Sequence, residues 1–190
     1  QRHLDGRGVP GVSRTLLVAP REVHDLVLRC ARMAGCSAGV ADRLARNVTA
    51  AEVDLGAAIE VFLDAMEGGN LPESPLASAP DVLAGAEVAA RSGASATATF
   101  DPPAPLAGLS ASIDETEGRG VVICGVHGAA TAGTMVSELV LSVGTADSPT
   151  VGPGAAYRDG LRVAGPAFDR LVEEAKRFLV AEATLDAIET

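Results

Sequence analysis

The chain has 190 residues, 47% of them apolar, with a mean hydropathy of +0.25 and a net charge of −10. That is apolar enough for a continuous core and excludes general disorder. The acidic balance opposes nucleic acids, and no apolar run reaches the ~18 residues of a membrane span.

With no Trp, one Tyr and four Phe, the core must be filled mainly by Ala, Val and Leu. Each small side chain contributes less burial than an aromatic, but allows elements to approach closely. Charge is uneven: residues 1–46 balance to +4, 47–120 to −10 and 121–190 to −4. A basic front on an acidic body suits self-association, as a homo-oligomer or a partner subunit. Cys30, Cys36 and Cys124 are odd in number and match no zinc or disulfide spacing, so reduced thiols in a cytoplasmic protein are expected.

Residues 1–18 lack the apolar stretch of a secretory signal and read as a loose leader. From Ala19 the pattern is helical. Pro20 suits a first helical turn; Val23, Leu26, Val27, Cys30 and Ala34 share one face, and Gly35 ends the helix. Ser37 caps a second helix with the stripe Val40, Ala41, Leu44, Ala45, Val48, and a third carries Ile59, Phe62, Leu63 and Met66. Residues 19–69 therefore read as a three-helix subdomain. Three prolines and no periodicity make 70–80 a linker, with an α/β subdomain over 81–190.

In that second part, "SATATF" alternates as a half-exposed strand, "DPPAP" turns the chain, and Leu106, Leu109 and Ile113 allow a short helix. "VVICGV" is apolar on both faces, as a strand in the middle of a covered sheet is. "ELVLSV" fits a helix or a strand. "AAYRDGLRVA" reads as a hairpin turning at Arg158-Asp159-Gly160. Pro166 opens a long amphipathic helix with Phe168, Leu171, Val172, Ala175, Phe178 and Leu179 inward. Helices first, strands in the middle and a helix last make an α+β, or mixed α/β, fold.

Chemistry concentrates in "GVVICGVHGAATAG", residues 120–133. If the chain turns at Gly125, Cys124 and His127 converge, and an imidazole can draw out a thiolate. Gly125, Gly128 and Gly133, followed by a helix from near Thr131, would aim N–H groups at an anionic ligand or cofactor. A buried Cys, a loop His and close-packed glycines are the plainer reading of the same residues. His24 and Cys30 lie on nearly opposite faces of one helix, so with Cys36 they make no metal site. The acids Glu52, Asp54, Glu60, Asp64, Asp114, Glu115 and Glu117 suit solvated surface.

Residues 19–57 resemble the opening of an uncharacterised bacterial domain family of similar length. The shared features are Glu22-Val23, the turn Ala31-Arg32-Met33-Ala34-Gly35, and Gly39-Val40-Ala41-Asp42, and residues 161–184 resemble that family's closing helix. The family implies no reaction. Gly120–Gly133 is also similar to a segment of the malate/L-sulfolactate dehydrogenase family, with His127 at a histidine position; Asp54-Leu55-Gly56 stands where a second histidine is expected. That resemblance implies an NAD(P)-binding fold of the non-Rossmann kind. Together these features lead to the expectation of a bacterial, self-associating accessory or small-molecule-binding domain of unknown cofactor. The alternative is an enzyme using His127 with Cys124.

Overall fold

Apolar residues recurring three and four apart fold the first half of the chain into helices. The computed structural model describes residues 14–126, 129–144 and 155–178. Its elements are β1 (Thr15–Val18), α1 (Pro20–Met33), α2 (Ala38–Asp54), α3 (Ala58–Glu67), α4 (Pro75–Gly93), β2 (Ser95–Pro105) and α5 (Ser110–Gly118). These are followed by β3 (Val121–Cys124), β4 (Met135–Val143), α6 (Ala155–Asp159), β5 (Leu161–Ala164) and α7 (Gly165–Lys176). The fold is mixed α+β.

Local chemistry sets the helix starts. Pro20 opens α1, and the Glu22 carboxylate accepts the Ala19 N–H at 2.9 Å. Ser37 Oγ accepts the Val40 N–H at 3.3 Å to begin α2. The expected stripes are the buried ones: Val23, Val27 and Cys30 on α1, and Ala41, Leu44, Ala45 and Val48 on α2. The N-terminus of α3 has no oxygen of its own, because Ala57 precedes it with φ 58° after Gly56 at φ 70°. The buried Glu52 of α2 supplies one instead, accepting the N–H groups of Ala58 at 2.6 Å and Ile59 at 2.9 Å. Burial pushes its carboxyl above the ordinary range, against the pull of those backbone donors.

The second half reaches back to this core. Thr15–Val18, expected within a leader, pairs antiparallel with β5, Thr15 opposite Ala164 and Val18 opposite Leu161. The expected hairpin at 158–160 is instead α6 leading into β5, because the partner of β5 comes from the far end of the chain. Leu161, Val163, Leu171 and Ala175 join the α1–α3 core, so 161–176 packs with the front of the chain. Phe178, expected inward, is 48% exposed.

The expected linker 70–80 is mostly helix. Leu71–Glu73 makes a 3-10 turn, Ser74 Oγ accepts the Ala77 N–H, and Pro75 takes the first position of α4. Pro80 sits inside α4 and leaves the Leu76 carbonyl without its helical donor. Gly108 presses against that carbonyl, where a Cβ would lie 2.5 Å from the oxygen.

β2, β4 and β3 form an antiparallel sheet in that order. β4 resolves the ambiguity of "ELVLSV" as the central strand. "DPPAP" does not end β2 but interrupts its pairing between Thr99 and Ala104. "VVIC" is a strand, yet it lies at the edge, with Val121 buried and Cys124 exposed. The expectation of a middle strand fails because a short apolar run specifies burial without saying on which side its neighbours pair. α4 and α5 cover one face over Ala98, Phe100, Leu139, Leu141 and Val121. Across the other face, Thr97, Val140 and Cys124 stand in one row.

One buried charge fastens these layers. Glu87 of α4 accepts from Arg119 Nε at 2.9 Å, Arg91 Nε at 3.1 Å and Thr116 Oγ1 at 3.3 Å. It thereby ties α4 to α5 and to the residues entering β3. The Arg119 hydrogen bonds, supported by Arg91, outweigh burial and hold the Glu87 carboxyl down at about 2.

Candidate functional site

The segment after β3 is shaped by one forced turn. Gly125 has φ 133°, and a Cβ there would lie 2.8 Å from the Glu138 carbonyl oxygen of β4. The chain thus crosses the adjacent strand at van der Waals range, which only glycine permits. Cys124 precedes this turn with its thiol exposed, and Val126 after it is 38% exposed. His127 and Gly128, on which the sequence reading placed a base and an anion contact, lie outside the described residues.

The return arm is well anchored. Ala132 is fully buried, its carbonyl accepting the Ala107 N–H at 2.9 Å, while Thr134 O accepts the Leu106 N–H at 3.0 Å. The expected helix from Thr131 is absent. The Thr131 N–H donates to Thr134 Oγ1 at 2.9 Å, the Thr134 N–H returns to Thr131 O at 3.0 Å, and the chain extends into β4. Without a helix terminus, and with the Thr131 donor taken, the proposed strand–turn–helix anion cradle is not formed. Gly133 packs 3.7 Å from Val61 Cγ2, which is ordinary close packing.

Beside this arm lies a hollow of about 310 Å³, walled by Val61, Ala65, Leu76, Pro105 and Met135, with Asn70 and Ser74 as its polar groups. Met135, the first residue of β4, is 56% exposed into that region of surface. None of the described residues of 124–133 lines this hollow. Its residues come from α3, α4 and two strand ends, which no local motif announces.

Among the described residues, no three His, Cys, Asp or Glu side chains form a group able to hold an ion. Cys30 and Cys36 are buried; burial pushes the Cys30 thiol up to about 12, and it donates to the Leu171 carbonyl. His24 lies 3.5 Å from Asp25 and 3.9 Å from Asp42. Burial raises the Asp54 carboxyl, and burial with the neighbouring charges of Asp54, Glu117 and Glu115 raises that of Asp114, but each remains at the surface.

The feature that the sequence reading missed is the outward face of α4. Its exposed positions include Ser78, Val82, Ala84, Gly85, Val88, Ala89 and Ser92, with Val88 at 68% and Val82 at 39%. Each charge on the helix is occupied: Asp81 by Arg43 at 2.8 Å, Glu87 by Arg91 and Arg119, and Arg91 by Glu87. A 19-residue helix is small and apolar on its solvent side, and uncovered there among the described residues, in a chain carrying 25 acids. The signal was present in "PLASAPDVLAGAEVAARSG", whose outward positions follow helical spacing. Compared with protein-family models, curated proteins and solved structures, the chain finds no match.

Proposed function

We propose that this chain is a binding or accessory domain that works as an assembly of copies, joined through the outward face of α4. The observation that carries the reading is the exposure of Val82, Gly85, Val88 and Ala89 on a helix with no unpaired charge. A face built from such small residues lets two helices approach closely, and a symmetric pair buries the same valines twice. The hollow beside Met135 gives the assembly a place for a small, mostly apolar ligand. Sedimentation equilibrium tests the reading: the unmodified chain associates, and Val88→Glu weakens association at least tenfold, about 1.4 kcal/mol. A monomeric unmodified chain, or an unaffected variant, refutes it.

A second reading keeps an enzymatic role for Cys124 and His127, in a thiol-assisted or dehydrogenase-like reaction on a small molecule. Its support is the turn at Gly125, the condition under which a strand-end thiol meets a residue three positions on. His127→Ala separates the two readings. Loss of turnover with unchanged association supports the enzyme, whereas unchanged behaviour in both leaves the accessory role alone.

A further inference from the structure

A second groove, of about 430 Å³, lies between the end of α1, α3 and α7. Met33, Leu63, Met66 and Leu71 form its apolar lining, and Arg170 and Arg177, with Glu67 and Glu174, its charged side. Met33 is 39% exposed there, an unbranched side chain that no described residue covers. The arginines pair with Glu67 and Glu174, but every side chain in those pairs is at least 39% exposed, so partners exchange readily.

What the groove suits is written in the residues that follow it. Arg170 and Glu174 of α7 and Arg177, which caps it, recur at four and three and form one wall. The chain leaves that wall at Phe178 and continues as "LVAEATLDAIET", residues 179–190. In this segment Ala181, Leu185 and Ile188 recur at four and three, as do Glu182, Asp186 and Glu189, with no basic residue among them. An apolar row beside an acidic row complements an apolar floor beside two arginines. Because the segment is tethered at the rim, its local concentration at the groove is in the millimolar range, which favours it over a second copy.

We propose that residues 179–190 dock in the groove of their own chain, apolar side chains against Met33 and Met66, carboxylates toward Arg170 and Arg177. The chain contains no Trp, so Ile188→Trp in the full chain gives a single reporter. Docking predicts blue-shifted emission and several-fold slower acrylamide quenching than in the same variant carrying Met33→Asp or Arg177→Glu. Both groove positions are exposed, and helical circular dichroism confirms that each variant remains folded. The protection is expected to be independent of protein concentration. Quenching as fast as in a free peptide of residues 179–190 carrying the same Ile188→Trp overturns the proposal. So does protection that survives both groove variants, which places the segment elsewhere, or protection lost on dilution, which makes the occupant a second copy.

Discussion

Replacing Glu87 by Gln keeps the shape of the side chain and removes its charge. The folded carboxyl stands at about 2 against 4.5 for an unperturbed one, with Arg119 the first cause and Arg91 the next attractive one. A shift of that size corresponds to roughly 3 kcal/mol. Arg119 and Arg91 are 50% and 42% exposed, and solvent screening brings the expectation to about 2 kcal/mol. Because the folded value is depressed, this stability is fully present above the ordinary carboxylate range and is lost as pH falls toward about 2. Urea unfolding of both proteins at pH 7 and at steps down to pH 2 measures it. The Gln variant is expected to be about 2 kcal/mol weaker at pH 7, with the two curves converging in acid. A gap of equal size at every pH refutes ionisation of Glu87 as its source, and no gap at pH 7 refutes the network as a tie between α4 and α5.

Glu52→Ala leaves the Ala58 and Ile59 donors unpaired in a buried place and costs about 2 kcal/mol by denaturant unfolding. Glu52→Gln retains an acceptor and costs less. Its relative stability improves as pH rises through the raised folded value, where the buried carboxylate of the unmodified chain must ionise at a cost. Gly125→Ala and Gly108→Ala each force a Cβ within 2.8 Å or less of a backbone carbonyl, and each lowers stability by about 2 kcal/mol. Unchanged melting in either refutes the close approach. With an aromatic disulfide reagent, Cys124 reacts at once, while Cys30 and Cys36 react only on unfolding; rapid labelling of all three contradicts the packing of α1 on α7.

Periodicity made α1, α2 and α3 legible, because Val23, Val27, Leu44 and Val48 answer to burial in one direction only. The prolines of 70–80 misled for a physical reason. Pro72 and Pro75 occupy positions where a missing N–H is harmless, and Pro80 is accommodated by the backbone of Gly108, which lies outside that segment. "VVIC" shows its strand character but not its edge position, which depends on β4 taking the centre through pairings on both sides. Gly125 stood out as a turn, while the hollow beside Met135 depends on residues from Val61 to Met135 meeting in space. The anion cradle failed on Thr134, whose hydroxyl captured the Thr131 donor and turned the chain into a strand.

The central claim, that two α4 faces meet, is tested most directly by a single cysteine at the midpoint of the stripe. Gly85→Cys in a Cys124→Ser background places a thiol where a symmetric pair of helices brings two copies together, within the ~7 Å between Cα atoms that a disulfide spans. Mild oxidation is predicted to yield a covalent dimer, while Arg29→Cys in the same background, on the exposed side of α1, stays monomeric. A Gly85→Cys protein that remains monomeric, or that cross-links no faster than Arg29→Cys, contradicts the account.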